Sequence, residues 1–306
     1  NAPLAGRFTV VGRSPLTGTW GDANSGGHFG PALRQAGYDA VFLLGRSERP
    51  VYLWLNDGQA ELRPAQALWG LDTYAVEERI RQELQEPKAQ VCAIGPAGEK
   101  MSLIACLITD RGRAAGRSGL GAVMGAKGLK AVAARGSLKV PVPDGERLRA
   151  LGRAVRAVVN HPDCWLSSFR KYGTADGVAA SAFSGDAPVK NWAGAGQRDF
   201  PHPEQISDDN VIKYQARDYF CAQCPVGCGG IVRVDAGPYA VGETHKPEYE
   251  TLSAFGTLCL NADVESIIKC NDLCNRLGLD TMSTGSTIAF AIDCYEHGVI
   301  TREQTG

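Results

Sequence analysis

The sequence predicts an α+β protein, with a β-sheet-rich domain over residues 1–140 and a mainly α-helical domain over residues 141–306. Short apolar runs bounded by Gly, Pro or Asp recur in the first part of the chain, which is typical of strands. Apolar residues at three- to four-residue spacing recur in the second part, which is typical of helices. Between the two parts lies Val140–Pro143, where alternating prolines indicate a linker.

The elements of the first domain follow from these runs. One helix is expected over Asp72–Leu84, where apolar residues recur among charged ones. Five strands are predicted: Phe8–Val11, Ala40–Leu44, Val51–Leu55, Gln90–Ile94 and Lys130–Ala134.

The second domain has three segments with helical spacing. They are Leu148–Val158, Val264–Leu277 and Thr287–Tyr295. The segment Asp186–Asn210 is rich in Pro, Gly and Asp, and we expect it to run over the surface.

Charge and composition exclude several classes of function. The 306 residues hold 32 Lys and Arg against 33 Asp and Glu, so no broad basic field is available for a nucleic acid. No apolar run reaches the roughly 20 residues that span a bilayer, and we expect a cytoplasmic protein without a membrane span. Ten cysteines favour metal or redox chemistry in a reducing compartment. Because the chain opens without Met and ends on polar residues, it is expected to be a piece of a longer protein.

The most specific motif is a C-x2-C-x3-C run formed by Cys221, Cys224 and Cys228. Three thiolates this close on a glycine-containing loop can bind three irons of a [4Fe-4S] cluster. A structural zinc site is the alternative, but it usually requires a second pair of Cys or His nearby, and His245 stands alone. The fourth ligand is left open among Cys259, Cys270, Cys274, Cys294 and a residue beyond Gly306.

Two glycine-rich segments lie in the first domain, Asn24–Gly30 and Arg113–Gly121. Small residues allow backbone to approach a ligand, and arginines on both sides of Ala-Ala-Gly suit phosphate oxygens. The alternative is that these glycines simply form turns. Neither segment carries a Walker A sequence or a strand-to-helix G-x-G-x-x-G.

An acidic cluster follows the cysteines over Val241–Thr251. Glu243, Glu248 and Glu250 are each able to act as a general base beside a reacting group. A solvated surface turn is the alternative interpretation.

Together these segments resemble the aldehyde:ferredoxin oxidoreductase family over nearly the whole chain. The resemblance implies one tungsten held by two pterin-dithiolene cofactors beside a single [4Fe-4S] cluster, with molybdenum as an alternative metal. It also implies oxidation of a small aldehyde to a carboxylic acid, with electrons passed to ferredoxin or a related carrier, and it leaves a homo-oligomer open. The matching stretches are Ser14–Gly18, Asn24–Gly27, Ala36–Ala40, Ile94–Glu99, Arg113–Gly125, Cys221–Cys228, Pro247–Glu250 and Leu277–Thr281.

The resemblance also implies roles for single residues. Arg7 matches the arginine that bridges cluster and pterin, and Glu250 matches the glutamate beside tungsten. Main-chain oxygens of Asn24 and Ala114 match the ligands of a magnesium ion that links the pterins. The remaining matches are Asn24, Gly26, Arg113, Ala114, Gly116 and Arg117 at the pterin phosphates, Asn275, Leu279 and Asp280 in a pterin-binding turn, and Cys221, Cys224 and Cys228 at the cluster.

Two positions depart from the family pattern. Asn275 stands where an Asp is usual, which keeps a hydrogen-bonding side chain without the charge. Lys269 stands where some members carry a glutamate for an interface iron, and a protonated lysine is a poor metal ligand. Two other functions remain open: reduction of aromatic thioesters or other carbonyl substrates by a member of the same family, and a non-catalytic zinc or iron-sulfur module.

Overall fold

The computed structural model describes residues 2–305. The chain falls into two compact units, and neither is one continuous stretch. The first comprises Asn1–Cys164, Phe220–Gly227 and Asn275–Asp280, and the second comprises Trp165–Tyr219, Cys228–Cys274 and Thr281–Gly306. The boundary expected after residue 140 stays a prediction, because compact units and sequence domains are defined by different criteria.

The first unit contains a β-hairpin and a mixed sheet. The hairpin pairs β1 (Phe8–Arg13) with β2 (Trp20–Ser25). The sheet has six strands in the order β4-β3-β8-β5-β6-β7, and among these neighbours only β3 and β8 run parallel. Its strands are β3 (Val51–Asn56), β4 (Gln59–Pro64), β5 (Gln90–Ala93), β6 (Leu107–Thr109), β7 (Arg113–Ala115) and β8 (Leu129–Arg135).

Alternate side chains along the sheet form an apolar core on each of its faces. Leu53 and Cys92 belong to one core, whereas their strand neighbours Tyr52 and Val91 belong to the other. The helices of this unit are α1 (Phe29–Gln35), α2 (Thr73–Leu84), α3 (Pro96–Glu99), α4 (Leu120–Ala126) and α5 (Gly145–Val159). Helices α1 and α4 contribute to the first core and α2 to the second. The Asp72 carboxylate caps α2 by accepting from the backbone N–H three residues later.

The second unit is mainly helical, with one antiparallel sheet in the order β11-β10-β9. The strands are β9 (Gln215–Tyr219), β10 (Gly229–Val234) and β11 (Val241–His245). The helices are α6 (Leu166–Tyr172), α7 (Gly177–Ser184), α8 (Gly196–Asp199), α9 (Asp208–Ile212), α10 (Tyr249–Phe255), α11 (Val264–Leu277), α12 (Thr281–Glu296) and α13 (Arg302–Thr305). Within residues 2–305, none of the helices combines the length and apolar character needed to cross a bilayer.

The predicted α+β class is confirmed, and most predicted elements are found. Strands cover four of the five predicted segments, and helices cover all four predicted stretches. The exception is Ala40–Leu44, where the prediction of a strand is wrong. This segment is irregular, and Phe42 is 88% and Leu44 94% exposed. An apolar run forms a strand only when another strand pairs with it, which local sequence does not report.

The expectation of a surface segment over Asp186–Asn210 is wrong in part. Val189, Phe200 and Ile206 are buried, and short helical turns interrupt the segment. Burial of these apolar residues stabilises the segment within the second unit, although its Pro and Gly content is typical of a loop.

Candidate cofactor and cluster site

The start of the β1–β2 hairpin brings Arg7, Asn24 and Gly26 beside Cys221. The Arg7 Nε donates a hydrogen bond to Asn24 Oδ1, and its Nη2 donates to the Asn24 main-chain oxygen at 3.2 Å. A Cβ at Gly26 would stand 2.9 Å from Cys221 Sγ and 3.3 Å from Arg7 Nη1. The thiol and the guanidinium therefore face one glycine, and a side chain at that position would displace one of them.

The first half of the cysteine motif, which holds two of its three thiols, is fastened to the start of the chain by backbone hydrogen bonds. The Leu4 N–H donates to the Gln223 oxygen at 3.1 Å, and the Ala222 N–H donates to the Gly27 oxygen at 3.1 Å. Both thiols of this half are partly exposed. The loop is thus held in place while its sulfur atoms remain accessible.

The third cysteine, Cys228, belongs to the second unit and directly precedes β10. A Cβ at Gly173 would stand 2.5 Å from the Cys228 main-chain oxygen and 3.3 Å from Lys246 Nζ. Lys246 is buried, and its ammonium donates to the Tyr172 oxygen at 2.7 Å. Gly173 therefore lies close to the main chain of the third cysteine within the second unit.

No group of three or more His, Cys, Asp or Glu side chains in residues 2–305 is arranged to hold a single metal ion. A cubane takes one thiolate on each iron, so its ligands need not converge on one point. Two of the cysteines considered as fourth ligands, both partly buried, have raised thiol pKa values because of that burial. Burial raises the pKa of Cys259 to about 11, and its Sγ–H donates to the Ala254 oxygen at 3.3 Å. Burial also raises the pKa of Cys270, so both are thiols rather than thiolates at neutral pH.

The second glycine-rich segment is tied to the first by Asp110, in the turn between β6 and β7. Asp110 Oδ2 accepts from the His28 N–H at 2.7 Å and lies 3.1 Å from His28 Nδ1. A Cβ at Gly27, whose φ is +88°, would stand 2.2 Å from the same oxygen. The hydrogen bond to Asp110 is the main reason why the pKa of His28 is raised. The turn that leads to Arg113 is thereby held beside the segment that begins at Asn24.

The turn over residues 275–280 approaches the second glycine-rich segment through Asp280. A Cβ at Gly116 would stand 2.7 Å from Asp280 Oδ1, and Arg117 Nε lies 4.0 Å from Asp280 Oδ2. Backbone hydrogen bonds fix this turn, including one from the Asp280 N–H to the Ile104 oxygen at 3.0 Å. Leu279 forms an isolated β-bridge with Ala105, so the main chain of residues 104 and 105 holds the predicted turn.

A close contact at Gly95 supports the same turn from the end of β5. A Cβ at Gly95 would stand 2.3 Å from the carbonyl carbon and oxygen of Leu277. Asn275, which departs from the family pattern, is buried, and its main-chain oxygen accepts from Thr73 Oγ1 at 2.8 Å. Its backbone thus contributes to holding the turn.

Among the three acidic residues of the Val241–Thr251 cluster, only Glu250 has no partner in residues 2–305. Glu243 pairs with Arg217 at 2.9 Å, and Glu248 accepts from Thr174 Oγ1 at 2.6 Å. Glu250 lies in the first turn of α10, is exposed, and makes no hydrogen bond or ion pair with the described residues. Its carboxylate is therefore not engaged by the described part of the chain. Lys269, the other departure, donates to the Ala240 oxygen at 3.4 Å.

The arrangement in the first unit fits the groups that the resemblance implies. Arg113 and Arg117 flank Gly116 and would supply cationic donors if phosphate oxygens were bound there. The Asn24 main-chain oxygen accepts one bond from Arg7 and keeps a second lone pair for a hard cation such as magnesium.

Sequence reasoning missed Asp110, the residue that joins the two glycine-rich segments. The run Asp110-Arg111-Gly112 between two short apolar stretches is a hairpin signal. That signal identifies the turn, but nothing in the local sequence indicates that its carboxylate reaches His28, 82 positions away.

The chain thus has a β-rich region that contains the two glycine-rich segments, followed by a mainly helical region. Two family models match it: "Aldehyde ferredoxin oxidoreductase, N-terminal domain" over residues 1–136, and "Aldehyde ferredoxin oxidoreductase, domains 2 & 3" over residues 149–306. The chain belongs to the aldehyde ferredoxin oxidoreductase family.

Curated relatives agree with this assignment. The chain is 42% identical to a tungsten-containing aldehyde ferredoxin oxidoreductase of Pyrococcus furiosus, over 100% of this chain and 50% of that protein. It is 40% identical to the protein of the same name from Thermococcus kodakarensis, with the same coverage. It is also 32% identical to an aliphatic sulfonate oxidoreductase, WOR-like subunit, of Pyrococcus furiosus, over 99% of this chain and 51% of that protein. The chain thus spans about half the length of these relatives.

A solved structure has the same fold. It is the active site complex BamBC of benzoyl coenzyme A reductase in complex with 1,5-dienoyl-CoA, with a TM-score of 0.84 and 27% identity. The match covers 99% of this chain and 47% of that chain.

Proposed function

We propose that the protein is a tungsten-pterin oxidoreductase of the cytoplasm that oxidises a small aldehyde to a carboxylic acid. In this proposal the electrons released by the oxidation pass through a [4Fe-4S] cluster to ferredoxin or a related carrier. The observation that carries this proposal is the contact of Cys221 Sγ and the Arg7 guanidinium with one glycine, Gly26. A thiol suited to iron and a cation suited to a pterin or its phosphate lie side by side there. The names of the most similar curated relatives support the same activity.

The proposed binding residues form three sets, one for each bound group. Cys221, Cys224 and Cys228 would hold the cluster, and main-chain oxygens of Asn24 and Ala114 would hold magnesium. The pterins would be held by Arg7, Asn24, Gly26, Arg113, Ala114, Gly116 and Arg117 in the two glycine-rich segments and by Asn275, Leu279 and Asp280 in the turn. Tungsten is the expected metal, with molybdenum as the alternative.

The bound metal and pterins would supply two-electron redox chemistry at the carbonyl carbon, and the cluster would supply one-electron transfer. In this proposal Glu250 is the general base, and its carboxylate accepts a proton from the water that attacks the aldehyde. The freedom of this carboxylate from partners in residues 2–305 supports the role. The cationic arginines hold the phosphates and orient the pterins.

The test of Glu250 uses the full-length protein. We expect Glu250→Gln to lower kcat by roughly 10²–10⁴-fold, because general base catalysis contributes about that much. Tungsten and iron contents are expected to stay unchanged. Glu243→Gln is the matched control, because Glu243 is exposed like Glu250 and lies in the same acidic cluster but is paired with Arg217. Wild-type activity in Glu250→Gln would overturn the catalytic role.

Metal analysis of the full-length protein separates the enzyme from a non-catalytic module. Tungsten with about four irons for each chain would support the proposal. Zinc alone would contradict it. Cys221→Ser is expected to lower the iron content, since it removes one of three proposed thiolate ligands.

A second candidate is reduction of an aromatic thioester or another carbonyl substrate by the same cofactors. The likeness to the benzoyl coenzyme A reductase complex favours it. An assay of the full-length protein with aldehydes and with aromatic coenzyme A thioesters, each with a viologen dye, distinguishes the two. Dye-linked turnover of thioesters without turnover of aldehydes would select the second candidate.

A further inference from the structure

Helix α5 concentrates positive charge in a chain that is otherwise balanced. The whole chain has a formal net charge of −1, whereas the 15 residues of α5 include four arginines and one acidic residue, Glu146. The arginines are Arg147, Arg149, Arg153 and Arg156. Such a local excess is not expected from composition alone, and it creates a field that attracts anionic partners.

These four guanidinium groups have no partner within residues 2–305. All four side chains are exposed, and none makes a hydrogen bond or an ion pair with the described residues. Glu146, the acidic residue of this helix, forms no ion pair with them, and the helix does not bury them. Their charge is therefore directed to solvent and available to another molecule.

Two of the arginines, Arg149 and Arg156, lie beside glycines of the same helix. A Cβ at Gly145 would stand 3.3 Å from Arg149 Nη1, and a Cβ at Gly152 would stand 3.6 Å from Arg156 Nη1. Each guanidinium thus lies over a glycine one turn earlier in the helix. Together they border a groove that is also lined by Leu148.

Exposed apolar residues accompany the charges. Leu151 is 55% and Val158 65% exposed on the same helix. Protein interfaces are enriched in arginine and combine apolar contact area with a charged rim. A helix with both features is suited to transient association with another protein.

The helix lies next to the segment that holds the cysteine loop. A Cβ at Gly152 would stand 3.7 Å from Pro3 Cγ, and the next residue, Leu4, donates its N–H to the oxygen of Gln223 at 3.1 Å. Gln223 lies between Cys221 and Cys224. The basic helix and the two proposed cluster ligands are therefore linked through one short stretch of chain in the first unit.

We propose that α5 is the docking surface for the acidic one-electron carrier protein that receives electrons from the cluster. This inference rests on the proposed function. Complementary charge steers association, and the position beside the cysteine loop brings the carrier close to the group that donates the electron. Four cations on one short helix of a chain with net charge −1 suit a small acidic protein rather than a long nucleic acid.

The test combines three charge reversals in the full-length protein, Arg149→Glu, Arg153→Glu and Arg156→Glu. Association with a purified acidic ferredoxin is measured on a biosensor at low and at high salt. We expect the association rate at low salt to fall by about tenfold or more, because rim charges act mainly on this rate. The salt dependence should become weaker. The association rate of the triple glutamine variant at the same positions is expected to lie between those of the wild type and the reversal. This variant removes the positive charges without adding negative ones.

The control reverses three other exposed cations of the first unit, Arg79, Lys88 and Lys100. Their side chains also make no hydrogen bond or ion pair with the described residues, so the net charge changes by the same amount. Association rates of the α5 variant equal to those of this control would overturn the proposal. Loss of binding to anionic vesicles, or loss of self-association, with unchanged binding of ferredoxin would also overturn it and assign α5 another occupant.

Aldehyde oxidation with a viologen dye as acceptor keeps the two proposals separate. We expect the α5 variant to retain its dye-linked rate and to lose kcat/KM with ferredoxin. If the wild type shows no dye-linked aldehyde oxidation, the proposed function fails. The binding measurement then still decides the role of α5, because it does not depend on turnover.

Discussion

Replacement of Lys130 by Met is expected to destabilise the protein, because it leaves a buried carboxylate without its cation. The side chain of Lys130 is 0% exposed and that of Glu99 6% exposed, and the two form an ion pair. Lys130 Nζ also donates to the Leu71 oxygen at 3.0 Å, and Glu99 accepts from the Gly70 N–H at 2.9 Å. The pair therefore connects β8, α3 and the turn before α2.

The magnitude follows from the burial of both groups. Removal of one partner from a buried ion pair costs about 3–5 kcal/mol, since the remaining charge stays desolvated. In a cooperative unit of roughly 150–250 residues, each kcal/mol lowers Tm by about 2–4 °C. We therefore expect Lys130→Met to lower Tm by roughly 6–20 °C. Adding Glu99→Gln to this variant is expected to restore part of the loss, because the remaining group is then neutral.

Calorimetry and urea unfolding of the full-length protein measure this effect. Lys139→Met is the control, since Lys139 is exposed and its side chain makes no hydrogen bond or ion pair with the described residues. A Lys130→Met variant with a Tm within about 2 °C of wild type would refute the reasoning, because the loss would then be below that of a buried pair.

Two further predictions concern the site. Gly95→Ala is expected to cost about 1–3 kcal/mol and to lower the pterin content, because its Cβ would collide with the turn over residues 275–280. Gly242→Ala is the control, since nothing lies within 4 Å of its Cβ, and equal pterin contents would contradict the prediction. The bond to Asp110 raises the pKa of His28 above 6.5, so its stabilisation is complete below that pH and lost as pH rises through the raised pKa. The His28→Gln variant should not show this fall in Tm. A wild-type Tm that stays constant between pH 6 and 9 would show that the pair contributes nothing.

The regular elements could be predicted because their signals are local. A short apolar run identified Val51–Leu55 as a strand, and the amphipathic pattern over Asp72–Leu84 identified α2. Ala40–Leu44 has an equally apolar composition but no partner strand among the described residues. Pairing is a long-range property, and a single sequence carries no direct record of it.

The site was predictable only in part, for the same reason. The spacing of Cys221, Cys224 and Cys228 is a local signal of a metal ligand set, so this set could be predicted directly, and it stays a prediction. The roles of Arg7 and Glu250 came from the resemblance to a family and stay predictions. The hydrogen bond between His28 and Asp110 joins positions far apart in the chain, and no sequence motif predicts it.

The glycine-rich segments show most clearly what the structure adds. From sequence, glycines are most simply explained by turns that need a positive φ. Gly26 and Gly116 do not have a positive φ, and yet a Cβ at either would crowd a polar atom of a predicted site residue at less than 3 Å. Glycine is needed at these two positions because other site groups, Cys221 and Asp280, approach the backbone closely. Because both partners come from segments more than a hundred positions away, the glycines are where separate parts of the chain meet to form the proposed cofactor site.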